Sequence, residues 1–165
     1  MYIRRLESAM RMLLAPSTGI QLIVLLQFPQ VGPVPGWAEQ TGAQDEWDDL
    51  ARQAVEAFPG HALYISTEEL LAPGGAFYSW LRTASGAWLR ARKIDNVHFC
   101  PYGAAELGAL MVDDLRPVLH LGPMRPGWEF GAWSHAARYN NPPGACPNDQ
   151  PPPGYRGTPV PNGRA

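Results

Sequence analysis

Ile20-Gln21-Leu22-Ile23-Val24-Leu25-Leu26-Gln27-Phe28 is an almost unbroken apolar run of strand length. It does not alternate between apolar and polar residues, so neither face is marked out for water. Such a run suits a strand buried on both faces of a parallel sheet, with helices above and below. The flanking pattern agrees. Apolar residues at 2, 3, 6, 10, 13 and 14 keep helical spacing, and Pro16 to Gly19 reads as a turn. Residues 29–45 form a long Pro/Gly-rich loop, of the kind that often lines sites. Asp45 is placed to cap the next helix, whose apolar positions Trp47, Leu50, Ala51, Ala54, Val55 and Phe58 run to Pro59-Gly60. His61-Ala62-Leu63-Tyr64-Ile65-Ser66 reads as a second strand, and Thr67 to Leu71 as one helical turn. A short ribbon through Trp88 to Arg92 follows, and then a last helix over 102–116, with Leu107, Leu110, Met111 and Leu115 as its buried stripe. The alternation of helix and strand predicts an α/β fold with a parallel sheet.

The length of 165 residues allows one domain with an ample core. A formal net charge of −2, with the 13 basic residues dispersed, predicts no nucleic-acid partner and no pull toward an anionic membrane. The short cluster of Arg90, Arg92 and Lys93 reads as a polar strand end. No run is long and apolar enough to span a bilayer, and Glu7 and Arg11 interrupt the first segment where a signal peptide needs an apolar core. Read as written, the chain shows no route out of the cytoplasm. Glycine and proline gather in the last third, where residues 142–161 read PPGACPNDQPPPGYRGTPVP. That tail has few residues to bury and is expected to be extended, lying on the domain surface or disordered.

The chemistry concentrates in Asp95-Asn96-Val97-His98-Phe99-Cys100-Pro101-Tyr102-Gly103, at the mouth of the last helix. A turn there can bring the Asp95 carboxylate onto Nδ1 of His98, which fixes the tautomer and leaves Nε2 free as a base. The bland alternative is a helix cap followed by a surface histidine. Asp95 and His98 would be two members of a nucleophilic triad, and no Ser or Cys of the chain sits in a recognisable nucleophile turn. Ser66-Thr67-Glu68-Glu69 reads as a capping box, with Glu69 reaching back. Cys100 is too close along the chain to His98 for their side chains to converge. His61, His120 and His135 lack acids or cysteines at ligand spacing, so no metal and no other cofactor is expected. Asp113-Asp114 reads as a solvated helix face. Trp128-Glu129-Phe130-Gly131-Ala132-Trp133 and Tyr139 suit either packing of the tail or stacking on a sugar ring. Cys100 and Cys146 can form a disulfide stapling the tail across the site, which implies an oxidising compartment. They can equally be unrelated thiols, because sequence does not reveal the separation of their Cα atoms.

Asp95-x-x-His98-Phe99-x-Pro101-x-Gly103, with Ala104, Ala105 and an amphipathic helix after it, resembles the C-terminal block of SGNH hydrolases, the GDSL-type esterases, in their actinobacterial form. Leu70-Leu71-Ala72-Pro73-Gly74-Gly75-Ala76-Phe77 and Trp80-Leu81 resemble the loop before that block. The resemblance covers about residues 2–118 and is most specific over 70–103. It implies a flavodoxin-like three-layer α/β/α domain, of which this chain holds the C-terminal half. Residues 119–141 then form an aromatic-rich extension and 142–165 the Pro/Gly-rich tail. It implies that His98 is the base and Asp95 its orienting acid, in ester hydrolysis or O-acyl transfer on an acylated small molecule or cell-surface glycan. It further implies an extracytoplasmic setting for a full-length form. The family's Gly-Asp-Ser nucleophile and its Gly-x-Asn-Asp oxyanion block do not occur in this chain. Alone it is expected to be inactive, through a misplaced start or a split gene. Alternatives are a non-catalytic remnant or binding protein of the same fold, and an interaction module working through its tail. The edge of the 20–28 strand would invite self-association.

Overall fold

The computed structural model describes residues 2–32, 40–73, 76–83, 85–128, 144–148, 150–151 and 153–155. It is a mixed α/β structure, with helices α1 (Tyr2–Leu13), α2 (Gln40–Glu56), α3 (Glu68–Leu71) and α4 (Pro101–Leu119) and strands β1 (Ile23–Leu26), β2 (Ala62–Ile65), β3 (Trp80–Arg82) and β4 (Trp88–Arg90). Backbone proximity divides the chain into two compact units. One holds residues 1–29 and 35–67, the other residues 30–34 and 68–165.

In the first unit β1 and β2 pair in parallel, with Ile23 opposite Ala62 and Leu26 opposite Ile65. Helix α1 packs against α2 and buries Met10. The expected burial of the 20–28 run on both faces is not what forms. Ile23–Leu26 is only half-buried along its length, and Ile20 and Phe28 are exposed. The reason is that β2 is the strand paired with it among the described residues. Helix α2 begins at Gln40, so Asp45 lies inside the helix rather than at its cap. Its inward face is also turned from the expected one. Ala51 and Ala54 are fully buried, joined by Gln44 and Asp48, while Trp47 is exposed and lines an open groove with Tyr2, Leu6 and Leu50.

The buried polar residues here serve the strand ends. Asp48 Oδ1 accepts the Phe28 N–H at 3.0 Å, just beyond β1. Gln27 Oε1 accepts the Ser66 hydroxyl at 2.7 Å and the Thr67 N–H at 2.8 Å, just beyond β2. A buried N–H without an acceptor costs about 1–3 kcal/mol, which explains why polar side chains are spent at these positions. The Ser66 hydroxyl is thus directed to Gln27, and the Glu69 part of the expected capping box lies outside the described side chains. Burial raises the Asp48 carboxyl above its ordinary pKa, against the opposing effect of the Phe28 amide.

In the second unit β3 and β4 form an antiparallel hairpin, with Trp80 opposite Arg90 and Arg82 opposite Trp88. By strand alternation these side chains share one face, and Leu81, buried, points to the other. The pairs are cationic–aromatic. The Arg90 guanidinium lies 4.3 Å from the centre of the Trp80 ring and that of Arg82 lies 5.8 Å from Trp88. Of the stripe expected on helix α4 only Leu110 is buried, and smaller or polar residues make up the rest of its inward face. Tyr102, Gly103, Ala105, Glu106, Ala109 and Leu110 face inward, while Leu107, Met111 and Leu115 are half-buried. Small residues on that face let the helix approach closely. At Gly103 an added Cβ would overlap the Ala91 carbonyl group. The Ala91 oxygen also accepts the Cys100 N–H at 2.9 Å, so the start of α4 is seated on the end of the hairpin. Asp113 pairs with Arg116 at 2.8 Å. Among the described residues, no helix is long and apolar enough to cross a membrane.

Gly103→Ala is expected to destabilise the protein by about 1–3 kcal/mol, because the methyl must displace backbone rather than a flexible side chain. A urea titration of both proteins checks it. An unchanged midpoint would mean that α4 moves freely off Ala91.

Candidate active site

Residues 92–100 carry the chain from the hairpin to α4, and their conformation follows from local hydrogen bonding. Asp95 Oδ1 accepts the backbone N–H of Val97 at 2.9 Å and of His98 at 3.0 Å. A short acid side chain reaching two and three residues ahead is a standard way to close such a turn. Asn96 sits at the crest with φ 61°, a left-handed conformation that asparagine tolerates better than most residues. The Lys93 N–H then donates to the His98 carbonyl at 2.8 Å, closing the loop on itself.

This turn leaves the second carboxylate oxygen of Asp95 facing the imidazole. Oδ2 lies 2.8 Å from His98 Nδ1. With Asp95 ionised, Nδ1 must be the protonated nitrogen of the neutral ring, and the lone pair is on Nε2. Burial pushes the Asp95 carboxyl up, but the Val97 amide, the His98 ring and the His98 amide together bring it below its ordinary pKa. The pair is open to solvent, with the His98 side chain 70% and the Asp95 side chain 45% exposed.

Beneath the exposed pair lies a buried cation, Arg92, whose sequence pattern reads as a polar strand end. Arg92 is 1% exposed. Its guanidinium donates from Nη1 to the Val97 carbonyl at 2.9 Å and from Nη2 to the Gln30 carbonyl at 2.8 Å. It also lies 3.8 Å from the centre of the Phe99 ring. Burial pulls its pKa down to about 10, partly offset by the Asp95 charge. Gly32 donates its N–H to the Asn96 carbonyl at 3.0 Å, and a Cβ there would come within 2.6 Å of the Phe77 ring and 2.7 Å of Asn96 Cβ. The loop is therefore braced by residues 30–32, far away in sequence. No sequence signal marked Arg92, because an arginine next to Lys93 at the end of a ribbon has the pattern of a solvated strand end.

The tail supplies a second brace. Cys100 and Cys146 are joined in a disulfide, their Cα atoms 5.6 Å apart. Ala145 is buried, and its carbonyl accepts the Ile94 N–H at 2.9 Å. Further along, the Tyr155 oxygen accepts the Ser79 N–H at 2.9 Å and the Trp80 N–H at 3.2 Å. Its ring stands edge-on between Trp80 and Trp88, at 5.3 and 5.4 Å. The described part of the tail is thus bound to the rest of the second unit at separate points, as in the surface-lying alternative, with the disulfide among its attachments. Prolines cannot donate, but they need no acceptors, and the tyrosine carries the contacts.

The remaining candidates do not join this site. His61 Nδ1 lies 3.2 Å from the Gln21 carbonyl in the first unit. His120 ends α4 in a left-handed conformation with φ 53°. His135, residues 129–134 and Tyr139 lie outside the described residues, and with them most of the aromatic cluster. Among the described residues no group of His, Cys, Asp and Glu could hold a metal ion. Comparison with protein-family models, with curated proteins and with solved structures finds no match to this chain.

Two outcomes follow from this geometry. The folded Asp95 pKa is depressed, so its contribution to stability is present above the unfolded carboxylate value near 4 and is lost as the pH falls through the lower folded value. The stability difference between the protein and Asp95→Asn should therefore shrink on acidification below about pH 4, measured by denaturant titration across pH. Arg92→Met should cost about 1–3 kcal/mol, since it leaves the Val97 and Gln30 carbonyls without their donor. An unaltered unfolding midpoint would show that the loop holds without it.

Proposed function

We propose that this chain carries the acid–base end of an SGNH-type ester hydrolase or O-acyl transferase, with His98 as general base and Asp95 as its orienting acid. The observation that carries the reading is the 2.8 Å contact between Asp95 Oδ2 and His98 Nδ1 in a turn whose other carboxylate oxygen is held by backbone amides. In such an enzyme a serine hydroxyl becomes nucleophilic only as a base takes its proton. Nε2 of His98 would accept that proton while Asp95 stabilises the imidazolium. The same nitrogen would then return the proton to the leaving alcohol. Water reaching the acyl-enzyme completes hydrolysis, and a sugar hydroxyl completes transfer. Acylated small molecules and cell-surface glycans are the substrate classes.

The sequence contains no Gly-Asp-Ser, so in this reading the nucleophile and the oxyanion donors are carried by sequence outside these residues. The three-layer flavodoxin-like domain belongs to the same proposal. The parallel pairing of β1 with β2 and the α4 that follows the Asp95 turn support it. An extracytoplasmic setting is consistent with the Cys100–Cys146 disulfide.

The chain alone is expected not to hydrolyse a short-chain nitrophenyl ester. Hydrolysis that vanishes in His98→Ala would sink the idea of an external nucleophile. Intact mass and N-terminal peptide mapping of the native product test the rest. A product bearing Gly-Asp-Ser should lose about 10²- to 10⁴-fold in kcat/KM on His98→Ala. A product beginning at Met1, with no companion chain restoring activity, would instead favour a non-catalytic protein that keeps the fold.

A further inference from the structure

We propose that the tail segment around Ala145 and Cys146 is a positioning strap for the Asp95–His98 pair, and that the Cys100–Cys146 disulfide is what holds it in place. The proposal rests on reading Asp95 and His98 as an acid–base pair, and it assigns the tail a part in setting that pair's geometry.

The pair lies in a loop with two ends. At its start the Ile94 N–H, next to Asp95, is bound by the Ala145 carbonyl at 2.9 Å. At its finish Cys100, two residues beyond His98, is bonded to Cys146. One short tail segment, with its Ala145 side chain buried, therefore grips both sides of the pair. The remaining braces differ in kind. Arg92 and Gly32 hold the middle of the loop through the Val97 and Asn96 carbonyls. None of these contacts touches the reacting nitrogen of His98, so Ala145, Cys100 and Cys146 are positioning residues.

The energetics explain why a strap is needed. An exposed ion pair contributes about 0–1 kcal/mol, too little to hold two side chains in one arrangement by itself. The carboxylate and the ring must therefore be held by the backbone beneath them, which crosses a left-handed crest at Asn96. The disulfide closes a separation of 46 residues. Cross-linking across so long a loop keeps the Ala145 carbonyl near Ile94 at little further entropic cost. Tyr155 anchors the tail again on the hairpin, so loss of the disulfide should free the Cys146 end first.

The test is a spectroscopic reading of the His98 tautomer in the full chain, by nitrogen-15 long-range correlation followed across a pH series. The oxidised protein should show the Nδ1-protonated form and a slowly exchanging Ile94 amide. The Cys100→Ser/Cys146→Ser double variant, and the wild type treated with dithiothreitol, remove the strap in independent ways. In the second, dithiothreitol is oxidised to its cyclic disulfide and delivers two electrons and two protons to the cystine. Both should lose the Nδ1-protonated signature in favour of the Nε2-protonated ring, with faster Ile94 exchange and unchanged amide shifts in α4 and the hairpin. A retained Nδ1 signature with fast Ile94 exchange would overturn the proposal, as would a retained signature with Ile94 still protected. Wholesale unfolding of both would also overturn it, by making the disulfide a general staple. The readout needs no ester and no serine, so the hydrolase reading can fail while the strap stands, and the reverse.

Discussion

A guanidinium withdrawn from water organises the second unit. Arg92 is almost fully buried, and a charge in that position must have its protons accepted or be expelled. Most of that demand is met by carbonyls, those of Val97 at 2.9 Å and Gln30 at 2.8 Å, and by the face of Phe99, while the buried Nε has no hydrogen-bond partner. Each partner then has its own requirement. Val97 must turn its carbonyl inward, which sets the chain path just before His98. Gln30 must be brought within reach, which places Gly32 against Phe77 and Asn96 where no side chain fits. Arginine suits this role because its planar fork can donate in diverging directions while its flat face lies on an aromatic ring.

The exposed Asp95–His98 pair is a consequence of this buried arrangement more than a contributor to stability. An ion pair with its histidine 70% exposed contributes little free energy. Its geometry comes from the amides of Val97 and His98 donating to one oxygen of Asp95, which orients the other oxygen toward the ring. Cation and pair are therefore separated by depth, with the buried cation holding the loop below and the exposed acid–histidine pair above. The tail adds to the lower layer through its carbonyl and its sulfur. The aromatic side of the hairpin, where Tyr155 stands between Trp80 and Trp88, holds the tail again at that residue.

The first unit obeys a different constraint. Its parallel strands end in polar residues because each strand's last amide has to be satisfied before the chain leaves the sheet. Asp48 and Gln27 do this from buried positions, and the buried acid is held above its ordinary pKa in consequence. The apolar surface that remains is carried outward, with Trp47 and Tyr2 lining a groove and Phe28 left exposed.

The sequence by itself determined the elements and the local chemistry. Spacing of apolar residues located α1, β1, β2 and α4 to within a few residues, because that periodicity is a property of short segments, but it missed the first turn of α2 from Gln40 and the strand Trp80–Arg82. The Asp95-to-His98 interval was legible for the same reason, since the hydrogen bonds from the Val97 and His98 amides to Asp95 lie within a single turn, although the braces that hold that turn come from elsewhere in the chain. Tertiary structure alone decided which faces are buried: Trp47 turned outward, Glu106 inward, and β1 only half covered. It decided that Arg92 lies in the core, because the carbonyl of Gln30 that receives it is 62 residues away and no local pattern reports such a partner. It decided the same for the tail. Composition describes how much a segment can bury, whereas the attachments of Ala145, Cys146 and Tyr155 depend on acceptors, sulfur and rings that only the folded chain brings within reach.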